Sequence, residues 1–120
     1  MTTRPPTRVR VHEERGVFVV VASGDFDADE RDLLLSAWDE ADERNLPVTV
    51  LDLSGVTFGD SSFLDSLLRA RRRHLTADRR LVIAGPLHHR VVRLLTVTGT
   101  LPHFETAISL TDALRNNTPT

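Results

Sequence analysis

The chain has 120 residues, 40% of them apolar and 27% charged, and a formal net charge of −2. That length suits one domain with a core of its own, and the charge excludes a mainly electrostatic nucleic-acid binder. Cysteine is absent and all 15 basic residues are arginine, which excludes disulfides, thiolate chemistry, a Walker A phosphate loop and Schiff-base catalysis.

Residues 1–7 are rich in Pro and Thr and are expected to form a disordered arm. Met1 to Val11 has no apolar core of a secretory signal, and the longest apolar run, Val17 to Ala22, is too short to cross a bilayer. A cytoplasmic protein without a membrane partner is expected. Arg8 to Glu13 alternates polar and apolar residues, the pattern of a half-buried strand. After a turn at Gly16, Val17 to Ser23 reads as a more buried strand, completing a hairpin. Gly24 to Asp29 reads as an acidic turn. The helix that follows, to about Arg44, places Leu33, Leu34, Ala37, Trp38 and Ala41 at helical spacing. Asn45 and Pro47 end it.

Val48 to Leu53 is continuous, β-branched and apolar, as expected of a central strand covered on both faces. Ser54 to Asp60 reads as a loop, with Phe58, like Trp38, expected in the core. A helix follows from about Ser61 to Leu75, and Arg80 to Ala84 is another buried strand closed by Gly85-Pro86. Leu87 to Thr98 reads as a helix capped by Gly99. A short strand near Phe104 to Ala107 and a last helix from Leu110 to Arg115 complete the folded part, residues 8–115, before a flexible tail at 116–120. The order β-β-α-β-α-β-α-β-α implies an α/β domain: a mixed, mainly parallel sheet of about five strands with about four helices.

By local physics Asp60-Ser61-Ser62 is a helix N-cap, and Ser62 with Asp65 has the spacing of a capping box. Asp25, Asp27 and Asp29 alternate as metal ligands do, but a calcium loop starting at Asp25 would need Gly and Glu where Glu30 and Ser36 stand. Acids there complement the helix dipole instead. The five histidines lack ligand spacing, His88 and His89 being adjacent. No metal and no cofactor are expected. The run Arg69, Arg71, Arg72, Arg73 fits a solvated helix face.

The stretch Leu51-Asp52-Leu53-Ser54-Gly55-Val56-Thr57-Phe58-Gly59-Asp60-Ser61-Ser62 resembles the signature of STAS-domain anti-sigma factor antagonists, also called anti-anti-sigma factors. In that signature a buried strand ending in Asp-Leu-Ser leads through Phe to Asp-Ser-Ser at a helix start. Gly24-Asp25-Phe26-Asp27 resembles the family's turn after its second strand, and Leu94 to Gly99 with Phe104 resembles its closure of helix and strand. The resemblance spans residues 8 to 115 and implies the STAS fold. It further implies a non-enzymatic switch in bacterial transcription control. The unphosphorylated form binds an anti-sigma factor that is often itself a serine kinase, and so frees a sigma factor. Phosphorylation reverses binding, and a serine phosphatase resets it. Carried over, Ser61 is the phosphoacceptor, Asp60 and Ser62 flank it at the partner surface, and Asp25 and Asp27 lie on the neighbouring loop. Phe63 departs from the pattern, standing where the family has a small residue. It is expected at the same surface, as an obstacle or as an apolar anchor.

A phosphoserine adds about −1.5 to −2 charges at pH 7. The helix start favours that charge and Asp60 opposes it, so the modification is expected to change binding and not folding. The alternative is a STAS-fold scaffold that binds its partner constitutively and is never phosphorylated, with Phe63 as its mark. An enzyme using Asp25 and Asp27 lacks the lysine or glycine loop of a phosphotransferase, and no Gly-x-Ser-x-Gly elbow surrounds Ser61.

Overall fold

The structure is a computed structural model and describes residues 6–117; the ends of the expected arm and tail, residues 1–5 and 118–120, lie outside the described residues. Five strands form one sheet in sequential order: β1 (Arg8–Glu14), β2 (Val17–Phe26), β3 (Val48–Gly59), β4 (Arg80–Ala84) and β5 (Glu105–Ala107). The first pair is antiparallel and the rest are parallel. Helices α1 (Arg31–Arg44), α2 (Ser61–Thr76), α3 (His89–Val97) and α4 (Leu110–Asn117) follow β2 to β5 in turn. The class and element order are those expected from the sequence.

The β1–β2 hairpin closes through Arg15 and Gly16, whose φ values of 53° and 78° make the left-handed turn that matches strand twist. From β2 onward each crossover steps to the next strand in the same direction. Right-handed crossovers of that kind put their helices on one face. The packing agrees, because Trp38 of α1, Leu67 of α2 and Leu95 of α3 share one core cluster with Phe18, Leu51 and Ile83 of the sheet. The opposite face carries Val19, Val50 and Val82 and is covered by Ala113 and Leu114 of α4. The continuous apolar run of β3 therefore serves a strand buried on both sides.

The indole of Trp38 donates to the Ser66 carbonyl (3.0 Å), tying α1 to α2 within the core. Below it, His74 of α2 is 1% exposed. Its Nδ1 stands 2.7 Å from the Ala70 carbonyl and its Nε2 2.7 Å from the Thr49 hydroxyl. A carbonyl only accepts, so Nδ1 carries the proton and Nε2 accepts from Thr49. The buried Arg79 guanidinium donates to the Ala41 carbonyl (3.0 Å) and pairs with Asp42, which also pairs with Arg73. Burial alone raises the Asp42 carboxyl, but the bonds and charges of Arg73 and Arg79 outweigh it and hold it below its usual value. Burial pushes the His74 imidazole down, assisted by the Arg79 charge.

Several boundaries differ from the sequence reading. The stretch read as a loop, Ser54 to Gly59, continues β3, and Gly24 to Phe26 continues β2. The two extensions pair with each other through register shifts, with Gly24 opposite Val56 and Asp25 opposite Phe58. Gly24 has a φ of +95°, and a β-carbon there would stand 2.9 Å from Thr7 Cα. Thr7, placed by sequence in the arm, donates its hydroxyl to the Asp25 carbonyl (2.6 Å). Helix α3 starts at His89, with His88 as its N-cap, and α4 runs past Arg115 to Asn117. Leu33 is exposed and not in the core, because it lies outside the stripe formed by Leu34, Ala37, Trp38 and Ala41.

Candidate functional site

The extended ends of β2 and β3 bring the acidic turn and the Asp-Ser-Ser segment together. Phe26 pairs with Gly59, and the Asp60 N–H donates to the Phe26 carbonyl (3.2 Å). Asp27 and Asp60, the next residues in their strands, therefore leave the sheet side by side.

Asp60 is the N-cap of α2. One of its carboxylate oxygens accepts from the Ser62 N–H (2.8 Å) and the Phe63 N–H (3.1 Å). Ser61 is the first helical residue and is exposed, and Ser62 is half-buried. The capping box expected of Ser62 and Asp65 does not form, because the cap lies two residues earlier. Asp65 instead pairs with Arg31 and with Arg69, each at 2.9 Å. Two amides of the first turn are thus already occupied by a carboxylate before any modification of Ser61.

Asp27 caps a 3-10 turn over Ala28–Glu30. Its Oδ1 accepts from the Asp29 N–H (2.9 Å), while the Glu30 carboxylate accepts from the Asp27 N–H (3.3 Å). Glu30 is held above the usual carboxylate range, first by its side-chain hydrogen bond to Asp27, since two carboxyls can share such a bond only by sharing a proton. Asp25 lies one strand position pair away, and its Oδ1 accepts from the Thr57 hydroxyl at 2.5 Å. These acids serve caps and cross-strand bonds. Among the described residues no group of three or more His, Asp or Glu side chains is placed to hold a metal ion. No helix among them is long and apolar enough to cross a membrane.

Asp25, Asp27, Asp60, Ser61 and Ser62 thus meet at one end of the sheet. Phe63 does not join their surface. It is 1% exposed, and its ring packs 5.4 Å from that of Phe26 in the core. Its place in the first turn of α2 points inward, so it neither obstructs nor anchors a partner there. Phe58 is the reverse correction: expected in the core, it is 40% exposed. The register shift in β2–β3 turns Val56 and Gly59 inward and leaves Phe58 outside. Sequence reasoning also missed its neighbours, Arg90, Arg93, Leu94 and Val97 of α3, which line a groove with it. The available signal was Val97, an apolar residue off the Val91–Leu95 stripe.

The family model described as "Mlab, STAS domain" matches residues 9–102. Comparison with curated protein sequences gives no match. Among solved structures, the chain is similar to an anti-sigma factor antagonist from Mycobacterium paratuberculosis, with 25% identity, a TM-score of 0.82, and 92% of this chain and 93% of that one covered. It shares its fold with RsbS of Moorella thermoacetica, in a variant form (17% identity, TM-score 0.77, 91% and 93% covered). It also shares it with the Bacillus cell fate determinant SpoIIAA in its phosphorylated form (15% identity, TM-score 0.70, 91% and 98% covered). A family model that spans the seven strands and helices from β1 to α3 makes this protein a member of the STAS domain family.

Proposed function

We propose that the protein is a cytoplasmic anti-sigma factor antagonist whose binding to an anti-sigma factor is reversed by phosphorylation of Ser61. The observation that carries this reading is the exposed Ser61 hydroxyl at the first residue of α2, beside Asp60 and Asp27 at the open end of the sheet. Its support comes from the antagonists that share the fold, one of them solved in a phosphorylated form. The chain does no chemistry in this account. The partner is an anti-sigma factor that is itself a serine kinase, and a serine phosphatase restores the binding form. Moving a complex from mostly bound to mostly free takes a loss of about 80-fold in affinity, about 2.6 kcal/mol. A phosphate buried against an acidic or apolar partner surface supplies that much. Intact-mass spectrometry after incubation with ATP and the candidate serine kinases of its own cell tests the site. One added phosphate on the wild type and none on Ser61→Ala is the expected result.

A second reading, a scaffold that binds constitutively, is favoured by one feature. The Asp60 carboxylate already takes the Ser62 and Phe63 amides, so a phosphate on Ser61 meets a like charge where it would otherwise meet donors. Under this reading no kinase adds phosphate, and the partner still co-purifies.

A further inference from the structure

Next to the Ser61 surface lies a groove lined by Phe58 and Gly59 of β3 and by Arg90, Arg93, Leu94 and Val97 of α3. Val97 is 75% exposed and Phe58 is partly exposed as well, so two large apolar side chains from separate elements share one wet surface. Arg90 and Arg93 are exposed as well. Neither has an ion-pair partner among the described residues, whereas Arg69, Arg73, Arg79 and Arg80 are all paired. An apolar strip flanked by two uncommitted guanidinium groups is complementary to one kind of segment.

We propose that this groove docks an acidic amphipathic segment of the protein partner. Apolar side chains of the segment pack against Phe58, Leu94 and Val97, and its carboxylates face Arg90 and Arg93. The acids at the end of β2, Asp25, Asp27 and Asp29, repel the same carboxylates, so the segment runs along α3 and not across that turn. Gly59 lines the groove and stands two residues before Ser61. A phosphate on Ser61 therefore adds negative charge at the groove's edge, against a negatively charged occupant. This last step rests on the antagonist reading; the groove and its preference for acid do not.

The test uses nitrogen-15-labelled protein and two synthetic peptides of about four helical turns each, with leucines on one face. In one peptide the flanking residues are glutamates, and in the other they are lysines. Expected are amide shifts confined to residues 58–59 and 90–98, with the acidic peptide bound at least about tenfold more tightly than the basic one. Arg90→Glu with Arg93→Glu should reverse the preference, and Phe58→Ser should weaken both peptides. Equal binding of the two peptides, shifts elsewhere or no shifts would overturn the proposal. So would concentration-dependent shifts at these residues without peptide, which would mean that a second copy covers the groove. Neither Ser61 nor a kinase enters the titration. Its failure would leave the phosphorylation switch standing, and a chain that no kinase modifies would still show the peptide preference.

Discussion

The ring of Phe63 lies on the backbone of Gly59: a β-carbon at Gly59 would stand 2.2 Å from Phe63 Cδ2 and 2.6 Å from Cγ. The last residue of β3 and the third residue of α2 thus fit only as a pair, large over absent. This pair closes the core directly beneath the Asp60–Ser61 corner and fixes the angle at which α2 leaves the sheet.

Gly59→Ala should cost about 2 kcal/mol by forcing the Phe63 ring from its place. Phe63→Gly should cost about 4 kcal/mol through cavity formation and helix propensity. Combining Gly59→Ala with Phe63→Leu should cost less than the sum of the single changes, because the smaller side chain leaves room for the methyl. Chemical denaturation of the variants measures this. Additive losses would show that the two positions do not form the contact described.

Asp60→Ala removes the acceptor of two first-turn amides and should lower stability by about 1 kcal/mol. Asp60→Asn keeps an oxygen in that position and should lower it by clearly less. Thermal unfolding of the two variants side by side checks the order; a larger loss for Asn would contradict the cap.

His74 sets a pH dependence. Its folded pKa lies below the ordinary 6.5 because burial disfavours the imidazolium. The unfolded chain therefore binds the proton first, and stability should fall as pH drops below about 6.5 towards the folded value. Asp42 and Glu105 are held below ordinary values of 3.8 and 4.5, so their losses belong to more acidic solution. Denaturation at pH 7 and pH 5 should show a decrease in the wild type and little in His74→Gln. An equal slope in both proteins would remove His74 from the account.

Ser61 is exposed at the helix start, so Ser61→Ala should change stability by no more than about 0.5 kcal/mol. Unfolding midpoints of wild type and variant decide this, and a larger loss would mean that the hydroxyl supports the fold.

The strand-helix alternation, the double-sided burial of β3 and the acidic cap before α2 were legible because each leaves a local periodic or capping signal. The exact use of Phe58 and Phe63 was not. Ser54, Gly55 and Gly59 are poor strand formers, so the end of β3 reads as a loop, and its pairing with Gly24–Phe26 arises only when the two segments meet in space. That irregular pairing decides which aromatic turns inward. An inward Phe63 and an outward Phe58 exchange the roles expected of them from the resemblance and from aromatic packing, and the groove on α3 follows from the exchange. The network of Thr49, His74, Arg79 and Asp42 joins β3, α1 and the end of α2, and no single segment announces it.

In the proposed switch the state of Ser61 sets partner binding while the fold stays unchanged. Titration of the proposed anti-sigma factor partner with the protein before and after phosphorylation, by calorimetry, measures this. A loss of affinity of about 80-fold or more on phosphorylation is expected. Equal affinity of the two forms would contradict it and leave the constitutive scaffold.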